Sequence, residues 1–421
     1  MSGKPPVARR AGLTTAAAGS PGPRTVLRAA WLFDGISSAL IPDPVVVIDG
    51  TTICAVNSGR IATRGAAVTD LGGATLMPGL VDTHVHLAFD ASADPVGGLA
   101  CRGDAEVVQA MARAGRAALR GGVTTVRDLG DRGYLSLGLR GRPGLPTIVA
   151  AGPPITTPGG HYHYLGGATA PTAGGVRAAV REHAVRGVDV IKIMASGGNL
   201  SPGSRQDLAQ FPSDVLRAAV DEAHRLGLGV TAHAHAVTAI ADAVAAGVDG
   251  LEHVTFWTED GVDAPAHLIR IIAAEQITVG APVGLVPMPG ADGPPPAAAA
   301  QRLGIVAIMQ RLYQSGASMV AGTEAGIAPM KPHDVVRYAP PMLRQLGFGP
   351  AEALRAITSV AAGVCGLGHR KGRIAPGFDA DILAVDGDPV ADPGALHHIR
   401  AVYARGLPVQ GAGLRPPARP W

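Results

Sequence analysis

Residues 79–87 read GLVDTHVHL. Apolar and β-branched residues lead into alternating polar and apolar ones, the pattern of a strand whose far end becomes polar. Side chains two apart on a strand share a face, so His84 and His86 point the same way. Two imidazoles side by side suit a metal ion. A wet strand face carrying two polar residues would give the same pattern. The choice depends on whether this segment is the first strand of something larger.

Seven more strand-like runs follow it: TTVRDLG (124–130), PTIVAAG (146–152), VDVIKIMAS (188–196), GVTAHAHA (229–236), GLEHVTF (250–256), ITVGAPVG (277–284) and SMVAGTEAG (318–326). Helical stretches separate most of them. In 213–227, Leu216, Ala219, Val220, Ala223 and Leu226 recur on one helical face, with Ser213 in the N-cap position and Gly227 in the C-cap position. Eight strands alternating with helices predict an α/β fold, a distorted (β/α)8 TIM barrel over 79–368. Outside it the texture changes. TVLRAAWLFDG and PVVVIDGTTICAV near one end, and GRIAPGFDADILAVDGDPV and IRAVYARGLPVQG near the other, alternate and break at Asp-Gly or Arg-Gly. They predict one small composite β-sandwich from 25–78 and 369–415. PGADGPPPAAAA (289–300) reads as a flexible loop after the seventh strand.

The chain has 421 residues and a formal charge of 36 − 33 = +3. Lys4, Arg9, Arg10, Arg24 and Arg28 are its only charges before residue 31. The remainder therefore sums to about −2, which gives no footprint for nucleic acid. Residues 1–24 have paired arginines without a following apolar segment, and read as a disordered basic tail rather than an export signal. No apolar run is long enough to span a membrane. Three scattered cysteines suggest neither a disulfide framework nor a CxxC site, consistent with the cytoplasm.

In a parallel barrel, chemistry sits at the C-terminal ends of the strands. Besides His84 and His86, those ends carry Lys192, His233, His235, His253 and Glu324. Lys192 alternates with Ile191 and Ile193; if the isoleucines face helices, the lysine points into the barrel. A buried ammonium needs an acid partner, or its pKa falls and it can react. A neutral amine can take up carbon dioxide as a carbamate. Ligand-type residues at so many strand ends carry more weight together than any one alone.

The segments MPGLVDTHVHL, GGVTTVRDLG, GVDVIKIMASGG, TAHAHA, GVDGLEHVTF, ALRAITSVAAGVCGLG and GRIAPGFDADILAVDGDP together resemble the amidohydrolase superfamily. The resemblance covers about 25–411 and is nearest the branch of imidazolonepropionases and Xaa-Pro dipeptidases. It implies a metal-dependent hydrolase of amide C–N bonds, with His84 and His86 on one metal, His233 and His253 on another, and carboxylated Lys192 between them. Zinc, one or two per chain, is the implied metal. Glu324 would bind the first metal and act on the attacking water, with His253 also at the catalytic position. The superfamily pattern there resembles AGTDAG, so glutamate at 324 is a departure by one methylene.

PGGHYHYLGG (158–167) places His161, Tyr162, His163 and Tyr164 on a glycine-flanked loop over the mouth, a candidate substrate-contacting segment together with His235 and His333. His161 matches a related GGH of the superfamily. Arg127 and Asp128 read as a structural pair, and His183, His224 and His267 as helix-surface residues. A peptide or modified peptide is the expected substrate, in a specialised form the follower peptide of a bottromycin-like antibiotic precursor. Hydrolysis of a small cyclic amide and a non-catalytic scaffold are the alternatives. A homo-oligomer is common in such families.

Overall fold

The computed structural model describes residues 24–59, 66–288 and 296–412. The expected basic tail lies outside them except for Arg24, as does the 289–295 part of the expected loop. The rest of that loop belongs to a helix, Pro296–Gln314, because the alanines after Pro296 favour helix once a proline has set the first turn.

Eight parallel strands make the barrel: β1 Leu80–Val85, β2 Val123–Asp128, β3 Thr147–Ala150, β4 Val190–Met194, β5 Gly229–Ala236, β6 Gly250–Thr258, β7 Thr278–Ala281 and β8 Met319–Ala321. Continuous pairing runs β3-β2-β1 and β4-β5-β6-β7-β8. The two arcs join through single bridges, Ile155 with Ile193 and Val85 with Ala325. This makes the barrel distorted. The β1/β8 seam is nonetheless well bonded: the Glu324 N–H donates to the His84 carbonyl at 2.7 Å, the His86 N–H to the Ala325 carbonyl at 2.9 Å, and the Thr83 hydroxyl to the Ala321 carbonyl at 2.7 Å.

Helices cover the barrel with their apolar faces. Ser213–Arg225 buries Val215, Leu216, Ala218, Ala219, Val220 and Ala223. Its N-cap is Pro212, not Ser213: the extended proline carbonyl accepts the N–H groups of Val215 and Leu216, so Ser213 is already helical. Gly227, at φ 75°, reverses the chain beyond the last turn.

Two further sheets flank the barrel. One orders Thr52–Ser58, Pro44–Asp49, Thr25–Arg28 and Ala67–Asp70; the other orders Leu407–Pro408, Ile399–Ala404, Ile382–Asp386, Ala74–Pro78, Trp31–Leu32 and Ile41–Pro42. Leu27, Val46, Ile48, Leu76, Ile382 and Tyr403 share one apolar core. Strand Ala74–Pro78 pairs antiparallel with Ile382–Asp386 and runs almost directly into β1, so this module sets where β1 begins. At the junction, buried Lys371 contacts Asp381 and lies 2.9 Å from Asp379, which also takes Arg370 at 2.8 Å. The Asp381 carbonyl accepts the Gly79 N–H at 2.9 Å.

Replacing Lys371 with methionine leaves two buried carboxylates short of a counter-charge. We expect Lys371→Met to cost about 3–5 kcal/mol in denaturant unfolding. A loss under ~1 kcal/mol would mean Arg370 alone satisfies the pair.

Candidate metal centre

The strand ends bring the expected histidines together. Ring centroids lie 5.2 Å apart for His84 and His86, 5.3 Å for His84 and His253, and 4.7 Å for His233 and His253. Two triplets have ligand-type atoms within 4.8 Å of one another: His84, His86 and Glu324, and His233, His235 and His253. His235 thus stands among the possible ligands, its ring stacked on His253 at 4.5 Å.

Hydrogen bonds at the far nitrogens choose the tautomers. The Nδ1 of His86 is 3.1 Å from the Gly130 carbonyl, and the Nδ1 of His84 is 3.0 Å from Glu252 Oε2. Both acceptors can only accept, so both Nδ1 atoms donate and both Nε2 atoms keep a lone pair for a metal. His233 is reversed: its Nε2 donates to the Gly197 carbonyl at 3.0 Å, leaving Nδ1 free. The His235 Nδ1 shares a 2.7 Å hydrogen bond with the Thr255 hydroxyl. Burial pushes the pKa of all five imidazoles down, His235 to about 3. Neutral imidazole is the form that ligates metals.

Lys192 is 1% exposed, and its ammonium has no hydrogen-bond partner. Burial lowers its pKa to about 8, against the pull of Glu252. His86 Nε2 and His253 Nε2 are likewise buried and unpartnered. Buried imidazole nitrogens with a lone pair and no hydrogen-bond partner call for another partner, and a cation would supply one. Imidazoles with a carboxylate are a donor set suited to zinc. The residues present therefore fit a metal.

Glu252 had no role in the sequence reading. Its Oε2 takes His84, and its Oε1 takes Arg127 at 2.9 Å and the Thr231 hydroxyl at 2.8 Å. Burial opposes its charge, yet Arg127 and then His84 hold the carboxyl well below the usual range. Arg127 is structural as expected, but it pairs with Glu252 rather than Asp128. Asp82 was also missed. It accepts the Thr323 hydroxyl at 2.5 Å across the β1/β8 seam, and burial pushes it up to about 7.

The loop residues separate. His161 is buried, stacked on Tyr162 at 4.3 Å, and lies 4.8 Å from the His233 ring with an unpartnered Nδ1. A Cβ on Gly198 would lie 2.4 Å from His161 Nε2, so the Gly-Gly of 197–198 makes room for that ring. Tyr162 packs edge-on against His86 at 5.1 Å. His163 is half-buried and shares a 2.9 Å hydrogen bond with the Gly160 carbonyl. His333 donates from Nε2 to the Phe89 carbonyl at 3.0 Å and belongs to neither triplet. His183 is a correction: it is buried, with its Nε2 2.8 Å from the Pro153 carbonyl, because its side of the helix faces the end of β3.

A distorted parallel barrel with ligand-type residues on β1, β4, β5 and β6 and just beyond β8 is an arrangement suited to metal-assisted chemistry. The chain belongs to the amidohydrolase family, whose profile matches residues 75–407. An uncharacterized protein of Mycobacterium tuberculosis is 31% identical over 372 residues, 83% of this chain and 89% of its own. Ochratoxinase of Aspergillus niger is 28% identical over 381 residues, covering 81% and 77%. A prolidase structure solved with N-methylphosphonate-L-proline superposes with a TM-score of 0.79 at 28% identity, covering 92% and 99%.

Glu252→Gln keeps the shape but removes the charge that orients His84. Metal affinity should fall about 10–100-fold, read as metal per chain after dialysis against graded chelator. An unchanged retention curve would leave Glu252 a packing residue only.

Proposed function

We propose that this protein is a metal-dependent amidohydrolase that cleaves the amide bond of a peptide-like substrate, an N-acyl amino acid or short peptide with an apolar residue. The observation that carries this reading is the pair of ligand triplets, buried except for half-buried Glu324, together with a buried lysine that has no hydrogen-bond partner. A divalent metal bound there would polarise the scissile carbonyl and make a water nucleophilic near neutral pH. His84, His86 and Glu324 would hold one ion; His233 and His253, with His235 beside them, the other.

The free-amine form of Lys192, accessible because burial lowers its pKa, suits reaction with carbon dioxide. The amine and carbon dioxide give a carbamate and release one proton. The change turns a buried amine without a partner into an anionic oxygen donor among the imidazoles. Glu324 takes the proton from the attacking water and returns it to the leaving nitrogen. His161, neutral with its pKa near 3 through burial, presents its unpartnered Nδ1 beside His233 for the substrate carbonyl.

The apolar preference rests on the loops around the strand ends. Leu208, Met288 and Met330 are large exposed apolar side chains. Leu208 lies on the segment whose carbonyl accepts the Gly197 N–H, and Met330 accepts the Val286 N–H at 2.9 Å. The prolidase solved with N-methylphosphonate-L-proline supports the peptide-like class. No helix among the described residues is long and apolar enough to cross a membrane; action in the cytoplasm, on the chain alone or as a homo-oligomer, completes the proposal.

Protein purified without chelator and with bicarbonate should carry about two divalent ions per chain. Labelled bicarbonate should give a carbamate carbon signal that Lys192→Ala abolishes. A panel of N-acyl amino acids, dipeptides, small cyclic amides and a macrocyclic follower-bearing peptide tests the substrate. Release of an apolar amino acid is the expected result, and turnover confined to cyclic amides would overturn the peptide-like reading.

A further inference from the structure

Glu324 is held differently from the other groups of the centre. Its side chain is 17% exposed, against 3% for His253, so packing confines it less. Its backbone is left-handed, at φ 56°, and glutamate carries more rotamer freedom than any other acid. Yet the proton it handles requires its carboxylate to face one place. Two contacts bear on that carboxylate: Oε1 is 3.7 Å from His253 Nε2, and Oε2 is 3.6 Å from Lys331 Nζ.

Lys331 is well placed to act as a fixed reference. It is 9% exposed, and its ammonium donates to the Thr323 carbonyl at 2.6 Å, one residue before Glu324. Its own carbonyl accepts the Gly326 N–H at 2.7 Å, and its N–H donates to the Ala328 carbonyl at 2.8 Å. The loop therefore closes on itself and brings the cation back over the β8 turn. Among the described residues, Glu324 is the one carboxylate within ion-pair distance of Lys331. At 3.6 Å the contact is longer than a hydrogen bond, so it steers the carboxylate without locking it.

We propose that Lys331 is a positioning residue for Glu324: its ammonium draws Oε2 back toward the β8 turn and so keeps Oε1 toward the metal-ligand side. The inference rests on the reading of Glu324 as the proton-handling ligand. It explains how the longer arm of glutamate serves here. A shorter aspartate at 324 would keep its carboxylate nearer the backbone and depend less on the lysine.

The test is a cycle of Lys331→Met and Lys331→Arg in the Glu324 protein and in Glu324→Asp. With a substrate from the panel, Lys331→Met should lower kcat about 10–100-fold with little change in KM, the scale of a small misplacement of a catalytic group. Lys331→Arg should recover most of it. In Glu324→Asp, the same Lys331→Met change should alter kcat less than about threefold, a non-additivity expected of directly coupled groups. The visible spectrum of the cobalt(II)-loaded protein reads the same geometry without turnover. It should shift on Lys331→Met with glutamate at 324 and stay fixed with aspartate. Equal losses of kcat in both backgrounds, or a cobalt spectrum indifferent to Lys331 in both, would overturn the proposal. A fall in melting temperature alone would also overturn it, as the mark of a structural lysine. Absence of turnover with an intact cobalt shift would instead count against the substrate reading and leave the positioning role standing.

Discussion

The centre depends on one buried carboxylate that lies outside both ligand triplets. Glu252, on β6, reaches His84 on β1, Arg127 on β2 and Thr231 on β5. Arg127 continues the path to the Thr83 carbonyl at 2.6 Å. Four strands are thus tied by a polar node inside a barrel. Space for it comes from residues without side chains. A Cβ on Gly280 of β7 would lie 2.1 Å from Glu252 Oε2, and one on Gly322 just after β8 would lie 3.3 Å from both Oε2 and His84 Cβ. A buried ion pair of this sort is tolerable only when every lone pair and proton is matched. Here the carboxylate has a cation, a hydroxyl and an imidazole N–H.

What could be read from the sequence and what could not divides along one line. His84 with His86, and His233 with His235, follow from a period of two within a single strand. Lys192 follows from the alternation around it. The barrel follows from eight strand-like runs with helices between them. Partnerships across the barrel leave no local trace. Glu252 is 168 positions from His84 and 125 from Arg127, and in GLEHVTF it looks like one more polar residue in alternation. Asp82 meets Thr323 across 241 positions. His183 misled for the same reason: a helical wheel tells which residues share a face, while the depth of that face depends on the strand end beneath it. The glycines of AGTEAG and ITVGAPVG were a usable signal, since small residues in strands mark close approach.

β6 shows how the ligands are turned inward. His253, Val254 and Phe256 all have left-handed backbones, at φ 74°, 51° and 55°. Such values are uncommon for any side chain, and unusual for a β-branched one. They coincide with the place where the pairing between β5 and β6 slips, between Ala234 and Ala236. Strain of this kind persists where the surroundings over-determine it, and it gathers at functional sites. The strand gives up regular pairing there, and His253 comes to lie against both His84 and His233.

The strand that feeds β1 pairs with residues some three hundred positions later, Ala74 opposite Asp386 and Pro78 opposite Ile382. During synthesis, His84 and His86 leave the ribosome long before Glu324, and the partner of their lead-in strand later still. Contacts of such separation form slowly, because a long loop must close first. His84 therefore emerges 168 positions before Glu252, which orients it, and both His84 and His86 emerge before Glu324, which completes their triplet. The ordering of the chain leaves the His84, His86 and Glu324 group unfinished until the last barrel strand has been made.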